Sequence, residues 1–234
     1  EKITSPLKTA ASQGGKVMQL VLLGAPGAGK GTQGEFLEEQ FNLVRIATGD
    51  LLRLAMAKET ELGQQAKGYV SRGELVPDEL VTELVQERLM APDVATGFIL
   101  DGFPRNVAQA RSLDKFLQDN KRPSVTALYL EVDEAALLKR LTGRRVCPKC
   151  GASFHIVSRP PQKEGVCDAC ESGLVQRPDD TEEVIRHRLE VYARETEPVL
   201  GYYESKGLLV RIDGNGELKD IFQRILVALG EDKQ

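Results

Sequence analysis

The stretch GAPGAGKGT, residues 24–32, decides the fold of this chain. It directly follows the aliphatic run Leu20–Leu23 and leads into EFLEE, residues 35–39, which favours a helix. Glycines let backbone N–H groups converge on phosphate oxygens, a helix start offers its positive end, and Lys30 adds a full charge. The general pattern G-x-x-x-x-G-K-[ST] fails only at its last place, which Gly31 occupies. We therefore predict a phosphate-binding loop between a strand and a helix.

Short aliphatic runs recur along the chain, as expected for strands buried on both faces of a parallel sheet. Helix-period stretches separate them, for example from Leu80 to Leu89 after Pro77-Asp78, and from Leu137 to Leu141 after Asp133. The alternation predicts an α/β fold with a five-stranded parallel sheet, flanked by helices and wound through right-handed crossovers. The predicted strands are Leu20–Leu23, Leu43–Ala47, Phe98–Leu100, Ala127–Val132 and Leu208–Ile212.

Two intervals interrupt this alternation. Residues 47–76 are helical and punctuated by glycines, which predicts a helical lobe, whereas residues 143–180 lack a helical period and predict an inserted lobe. Residues 18–46, 77–142 and 181–234 then form the core domain. Residues 1–17 show no apolar periodicity, so we expect a flexible extension, either a cloning remnant or a tail rather than a processed leader.

Composition limits the classes of function. With 41% hydrophobic and 28% charged residues among 234, the chain can bury a core. No apolar run approaches the roughly 18 residues of a membrane-spanning helix. The net charge of −4 gives no general attraction to nucleic acid or anionic lipid, so we expect neither as a partner.

All four cysteines lie within 24 residues, as two C-x₂-C pairs separated by 16 residues. This spacing is typical of structural zinc sites, and four thiolates would complete a tetrahedral shell with no open position. A redox pair or unrelated thiols are the alternatives. The clustering and the lack of a secretory-signal pattern favour a reducing, cytoplasmic setting. The predicted ligands are Cys147, Cys150, Cys167 and Cys170.

Several motifs in the same order resemble the nucleoside monophosphate kinases, and the adenylate kinase family most closely. GAPGAGKGT is similar to the family's GxPGxGKGT, Thr48–Arg53 to TGDxLR, Asp101–Arg105 to DGFPR, and Arg177–Asp180 with Arg188 to RxDD…R. The resemblance covers residues 18–230. It implies a phosphate-loop fold and a monomer that reversibly transfers phosphoryl from MgATP to AMP, giving two ADP in adenine nucleotide homeostasis.

A nucleotide kinase needs a second anion site facing the first, and arginine suits it because its planar fork binds phosphate bidentately. Arg53 and Arg105 each follow a turn at a strand end, and the resemblance implies that both hold the AMP phosphate. The Gln109 amide can donate and accept along the adenine edge. The AMP-binding residues predicted on this basis are Thr48, Arg53, Glu74, Leu75, Val76, Gly102, Phe103, Arg105, Gln109, Arg177 and Arg188.

The ATP site is predicted around the glycine-rich loop and the inserted lobe. The family implies that Arg140 stacks on the ATP adenine, that Arg144, Arg177 and Arg188 contact phosphates, and that Ser153 and Phe154 contact ATP. Asp179 and Asp180 would orient these arginines or act as a hinge. The predicted ATP-binding residues are Gly27, Ala28, Gly29, Lys30, Gly31, Thr32, Arg140, Arg144, Ser153, Phe154 and Gly216.

Catalysis would depend on alignment and charge neutralisation, since the attacking AMP phosphate oxygen is already ionised. Asp101 ends a buried strand and is predicted to hold Mg²⁺ through water, with Asp50 as a weaker candidate. His155 and His187 are not needed for catalysis and are expected to be surface or packing residues. The predicted catalytic residues are Lys30, Arg105, Arg144, Arg177 and Arg188.

Two other functions stay open at this point. A related kinase for UMP or CMP is one, although Gln109 and the long lobe favour AMP. A zinc-ribbon protein that binds nucleic acid and uses ATP as a regulator is the other. Residues 143–180 carry six basic against five acidic residues and one aromatic, Phe154, which is a poor basis for nucleic-acid binding.

Overall fold

The computed structural model of the chain describes residues 17–231, so residues 1–16 of the predicted extension and residues 232–234 lie outside it. The strands are β1 (Met18–Leu23), β2 (Val44–Ala47), β3 (Gly97–Asp101), β4 (Thr126–Glu131), β5 (Arg144–Val146), β6 (Ser153–His155) and β7 (Leu209–Asp213). The α-helices are α1 (Lys30–Phe41), α2 (Thr48–Ala57), α3 (Glu61–Arg72), α4 (Asp78–Leu89), α5 (Val107–Asp119), α6 (Glu134–Thr142), α7 (Glu182–Val191), α8 (Pro198–Ser205) and α9 (Leu218–Leu229).

Five strands form one parallel sheet in the order β2-β3-β1-β4-β7. The predicted five-stranded sheet is confirmed, with strand ends shifted by one or two residues. The expectation that every strand is buried on both faces is wrong for β2 and β7, most of whose residues are partly exposed. Each is an edge strand with a neighbour on only one side, so solvent reaches its free edge.

Alternating residues of the inner strands build two apolar layers. Val21 and Leu23 pack with Phe98 on one face, while Leu20 packs with Ile99 on the other. Helices cover both faces, which explains why these strands are continuous aliphatic runs rather than alternating ones. Within residues 17–231, no helix is long and apolar enough to cross a membrane.

The sheet places the carboxyl ends of β1 and β3 side by side, with Leu22 in register with Asp101. The chain leaves β1 towards β2 on one side of the sheet, and β4 later pairs with β1 on the other side. In open α/β sheets this change of direction creates a crevice beyond the carboxyl ends of the strands. The glycine-rich loop that starts at Gly24 directly follows the carboxyl end of β1 and therefore lies at this crevice.

Two segments interrupt the alternation of strands and helices. Residues 47–76 contain α2 and α3, in agreement with the predicted helical character. Residues 143–180 contain an antiparallel hairpin of β5 and β6 followed by turns. The Thr60 hydroxyl caps α3 by accepting a hydrogen bond of 3.1 Å from the Gly63 N–H.

Gly63 of α3 lies where the backbones of α2 and α3 approach each other closely. A Cβ atom at this position would lie 2.1 Å from the Ala55 carbonyl oxygen, a distance that backbone atoms cannot accommodate without moving. A Cβ atom at Gly68, on the same helix, would meet only the flexible Arg72 side chain, at 3.4 Å. The close helix contact therefore requires glycine at residue 63 only.

We predict that Gly63→Ala separates α2 from α3 and lowers the free energy of unfolding by about 1–3 kcal/mol. Gly68→Ala is the matched control and should raise it by roughly 0.5–1 kcal/mol, because alanine restricts the unfolded chain and favours helix. Chemical denaturation of both variants measures the difference. Equal effects of the two substitutions would show that the helix contact does not depend on Gly63.

Candidate active site

The loop after β1 has the geometry of an anion cradle. Gly27 and Gly29 have φ values of 86° and 96°, a region that only glycine adopts without strain. A Cβ atom at Gly27 would lie 2.9 Å from the Leu141 side chain, whereas one at Gly29 would meet nothing within 4 Å. Gly29 also immediately precedes α1, where unpaired N–H groups and the helix dipole favour an anion.

Lys30 lies at the centre of this loop. Its Nζ donates hydrogen bonds of 2.7 Å to the Gly24 carbonyl and 3.0 Å to the Ala25 carbonyl. Burial lowers the pKa of Lys30 to about 8; the nearby Asp101 opposes this shift, and Arg105 adds to it. Because burial and nearby cations disfavour the charged form of Lys30, a bound phosphate would strongly stabilise that form.

Asp101 reaches the loop from the end of β3. A Cβ atom at Gly31 would lie 3.5 Å from Asp101 Oδ2, and Arg45 Nη1 lies 3.7 Å from the same oxygen. A partly buried carboxylate beside a phosphate loop is a suitable hard oxygen ligand for Mg²⁺. Asp50, the weaker candidate, instead accepts hydrogen bonds from Arg53 and Arg177.

Three carboxylates hold the arginines that converge on the site. The fully buried Asp180 accepts hydrogen bonds from Arg144 at 2.5 and 2.8 Å and from Arg188 at 3.2 Å. Asp179 Oδ2 accepts from Arg188 at 3.0 Å. These contacts agree with the expectation that Asp179 and Asp180 orient arginines.

Asp50 joins the segments 47–76 and 143–180. Its Oδ1 accepts from Arg53 at 2.6 Å and from Arg177 at 3.4 Å. Burial opposes ionisation of Asp50, but Arg53 and then Arg177 outweigh it, so the pKa of this carboxyl is lowered. The segment 47–76 is thereby attached to the end of the segment 143–180.

The arginines repel one another. Burial, followed by the charges of Arg188 and Arg53, lowers the pKa of Arg105 to about 10. Burial and the charges of Arg53 and Arg144 do the same for Arg177, whose pKa is also about 10. The Nε of Arg177 is buried and has no partner among the described residues. Mutual repulsion and an unused donor mark a site that a multiply charged anion would complete.

A cavity of about 740 Å³ lies on the loop's side of the cluster. Most of the predicted ATP-binding residues line it, namely Gly27, Ala28, Gly29, Thr32, Arg140, Arg144, Ser153, Phe154 and Gly216. Arg140 donates to the Gly214 carbonyl at 2.9 Å and to the Ala28 carbonyl at 3.3 Å, so it bridges two walls. Its stacking on adenine stays a prediction.

A second cavity lies on the other side, and eight of the predicted AMP-binding residues line it: Thr48, Arg53, Glu74, Leu75, Val76, Arg105, Gln109 and Arg188. Phe103 does not, because its side chain is buried in the apolar core. Gly102, Arg105, Arg188 and Lys30 line a third cavity of about 100 Å³, which shares Arg105 and Arg188 with the second. The structure thus places Lys30 of the loop and Arg105 on one cavity.

Gln109 is more constrained than its sequence context indicates. Its Oε1 accepts from the Arg105 backbone N–H at 2.8 Å, and its Nε2 donates to Asp78 Oδ1 at 2.8 Å. The amide therefore lies against Arg105, and a substitution at residue 109 would also disturb the backbone that carries this arginine.

The four cysteine sulfurs lie within 4.8 Å of one another. Cys147 and Cys170 are 3.4 Å apart, and Cys150 and Cys167 are 3.5 Å apart. A tetrahedral zinc with Zn–S bonds of about 2.3 Å places its sulfurs about 3.8 Å apart, so this donor set fits zinc. The small apolar cluster around Cys147, Cys167 and Phe154 is too small to stabilise residues 143–180 alone.

Other residues at the site are not indicated by any sequence motif. Gln33 and Phe36 of α1 line the larger cavity, as do Glu217 and Lys219. Their helical spacing resembles that of ordinary packing or surface positions, so only the fold reveals them. His155 also lines this cavity, but its Nδ1 accepts backbone N–H groups of Val157 and Ser158, a structural role. His187 Nδ1 lies 3.7 Å from Glu190 Oε2 and its side chain is 42% exposed, as expected for a surface residue.

Comparison with known proteins gives a consistent result. The sequence model of a family described as adenylate kinase matches residues 22–208. The adenylate kinase of Caldicellulosiruptor bescii is 53% identical over 213 residues, which cover 91% of this chain and 99% of that protein. Those of Thermodesulfovibrio yellowstonii and Clostridium novyi are 53% and 47% identical, covering 91% and 92% of this chain and 99% and 100% of their own lengths.

The pKa of Lys30 predicts a pH dependence that differs between the two cavities. ATP affinity should fall as the pH rises through about 8, because deprotonation removes the positive charge beside the loop. AMP affinity should persist to about pH 10, where Arg105 and Arg177 begin to lose their charge. Titrations of each nucleotide alone across this range measure the two profiles.

Lys30→Arg is the control for this titration, since a guanidinium stays charged and should make the ATP profile flat up to about pH 9. Parallel loss of ATP and AMP affinity in the unsubstituted protein would contradict the assignment of Lys30 to the ATP side.

Proposed function

The chain belongs to the adenylate kinase family, and we propose that it reversibly transfers the terminal phosphoryl group of MgATP to AMP, giving two ADP. One observation carries this proposal: the phosphate loop lines one cavity, Arg53 and Arg105 line a second, and Lys30 and Arg105 together line a third. A kinase that joins two nucleotides end to end needs this arrangement, because the transferred group must pass between two anion sites.

The donor phosphates would bind in the loop of Gly27, Ala28, Gly29, Lys30, Gly31 and Thr32, where backbone N–H groups and the start of α1 hold them. The acceptor phosphate would bind Arg53 and Arg105. No general base is required, since the attacking phosphate oxygen is already ionised at neutral pH. Lys30, Arg144, Arg177 and Arg188 would neutralise the charge that spreads over the transferring group.

Asp101 is the residue that we assign to Mg²⁺, through water. When bound with ATP, this ion neutralises phosphate charge and fixes the phosphate geometry. The chain's own contribution is to hold the Asp101 side chain next to the loop, with Arg45 Nη1 3.7 Å from its Oδ2.

We assign the acceptor base to the cavity lined by Thr48, Val76 and Gln109. Thr48 Oγ1 donates to the Gly102 carbonyl at 2.9 Å, which attaches the start of α2 to the turn before Arg105. AMP is the acceptor we favour over UMP or CMP, because the Gln109 amide is complementary to an adenine edge.

The segments 47–76 and 143–180 would act as lobes that close over AMP and ATP, while residues 18–46, 77–142 and 181–234 form the core. Two ion pairs support this proposal. Arg177 of one lobe contacts Asp50 of the other, and Arg159 Nη1 lies 2.7 Å from Glu35 Oε2 of α1 in the core. Closure excludes water from the transferring group.

We further propose that Cys147, Cys150, Cys167 and Cys170 hold structural Zn²⁺, that the enzyme is a cytoplasmic monomer, and that neither nucleic acid nor membrane is its partner. The near balance of charge in residues 143–180 supports the exclusion of nucleic acid.

A coupled assay with ATP and one of AMP, UMP, CMP or GMP tests the proposed reaction. We expect AMP to be the preferred acceptor. Lys30→Met should keep the fold but lower kcat by about 10²-fold or more. This is the order of magnitude expected when one charged contact to the transition state is lost. Near-normal turnover in a folded Lys30→Met protein, or a pyrimidine monophosphate as the best acceptor, would refute the assignment.

Removal of zinc, by a chelator or by Cys147→Ser with Cys150→Ser, should lower the melting temperature more than it lowers turnover at a temperature where residues 143–180 stay folded. A closed shell of four thiolates leaves no place for substrate, but it stabilises the lobe. Elemental analysis, melting temperature and low-temperature activity measure this, with zinc re-addition after chelation as the control. Metal-free protein after reducing purification would contradict the site, as would complete inactivation without loss of structure.

A further inference from the structure

We propose that Asp78, which belongs to neither predicted binding set, determines acceptor specificity by fixing the orientation of the Gln109 amide. The inference rests on the proposed role of Gln109 in recognising the acceptor base. Asp78 is the first residue of α4 and does not line the acceptor cavity. It is therefore a positioning residue that acts through Gln109.

Within the part of the chain that the structure describes, the hydrogen-bond partners of the Asp78 side chain are two amide groups. Its Oδ1 accepts from Gln109 Nε2 and from Asn106 Nδ2, both at 2.8 Å, and its Oδ2 accepts from Asn106 Nδ2 at 2.9 Å. Among the residues from 17 to 231, no lysine, arginine or histidine forms an ion pair with it. A carboxylate that is only partly exposed and has two amide partners is suited to orienting them.

The Gln109 amide lies between one group that only accepts hydrogen bonds and one group that only donates them. The Asp78 carboxylate can only accept a hydrogen bond, and the Arg105 backbone N–H can only donate one. Gln109 satisfies both with Nε2 towards Asp78 and Oε1 towards Arg105. Turning the amide over would place oxygen against oxygen and N–H against N–H. Asn106 is fixed in the same way, since its Oδ1 accepts from the Gln109 N–H at 2.9 Å.

This orientation leaves one hydrogen of Nε2 and one lone pair of Oε1 for a ligand, at a residue that is 2% exposed and lines the cavity. An adenine edge presents an acceptor nitrogen beside an amino donor, whereas hypoxanthine presents an N–H donor beside a carbonyl acceptor. With the acceptor phosphate held by Arg53 and Arg105, the two bases meet the same amide in the same place. A fixed amide therefore accepts 6-aminopurine and rejects 6-oxopurine, and a free amide does not.

The test compares AMP with IMP as acceptors. Asp78→Ala and Asp78→Ser remove the carboxylate and should lower the ratio of kcat/KM for AMP to that for IMP by about five- to tenfold, the effect of one lost buried hydrogen bond. Asp78→Ser keeps a residue that suits a helix start and carries the test if Asp78→Ala does not fold. Asp78→Asn retains an acceptor oxygen and should restore most of the ratio.

Glu79→Ala is the matched control, because Glu79 is an exposed acid in the same first turn of α4. It should leave the AMP-to-IMP ratio and the KM for ATP unchanged. In the Asp78 variants, the KM for AMP should rise while the KM for ATP and the kcat stay within about twofold. A merely structural role would instead lower melting temperature and affect both substrates.

Gln109→Leu separates failure of this inference from failure of the proposed function. If Gln109→Leu lowers the AMP-to-IMP ratio and the Asp78 variants do not, Asp78 does not orient the amide and the inference is overturned. If Gln109→Leu leaves the ratio unchanged, the assigned base contact is wrong and both are overturned. A lowered ratio in Asp78→Ala or Asp78→Ser, with Glu79→Ala unchanged, supports the inference.

Discussion

Repulsion among buried cations is the constraint on which this structure depends. Lys30, Arg105 and Arg177 are held where burial and like charge lower the pKa of each. Carboxylates from other elements, chiefly Asp179 and Asp180, bind the neighbouring arginines and so offset part of the free-energy cost of burying these charges. The remaining imbalance is the source of function, since a polyphosphate removes a repulsion that the protein alone cannot.

This constraint also explains why the site is assembled from several separate parts of the chain. The glycine-rich loop carries Lys30 at the end of β1. The arginines lie on α2 (Arg53), on the turn after β3 (Arg105) and near the two ends of the segment 143–180 (Arg144 and Arg177). No single element could carry so many like charges at this spacing. In the proposed closure, separate lobes would bring the charges together when the anions that compensate them are bound.

The features of the fold and of the site that depend on a short stretch of sequence could be predicted from the sequence. The aliphatic runs around Leu20–Leu23 and Phe98–Leu100 identify inner strands, and the cysteine pairs predict the cluster of four sulfurs, because each signal lies within a short segment. Edge exposure of β2 and β7 could not be predicted, since it depends on strand order. The contacts of Asp78 and Gln33 were equally hidden, because their partners lie 31 and 185 residues away along the chain.

The Arg177–Asp50 ion pair has a consequence for how the two substrates influence each other. It joins a residue at the end of one lobe to a residue near the start of the other, so neither lobe reaches this arrangement independently. Under the proposed closure, a nucleotide that stabilises one closed lobe would also increase the population of the other closed lobe. The two binding events would then be linked thermodynamically, and each substrate would act as an effector for the site of the other.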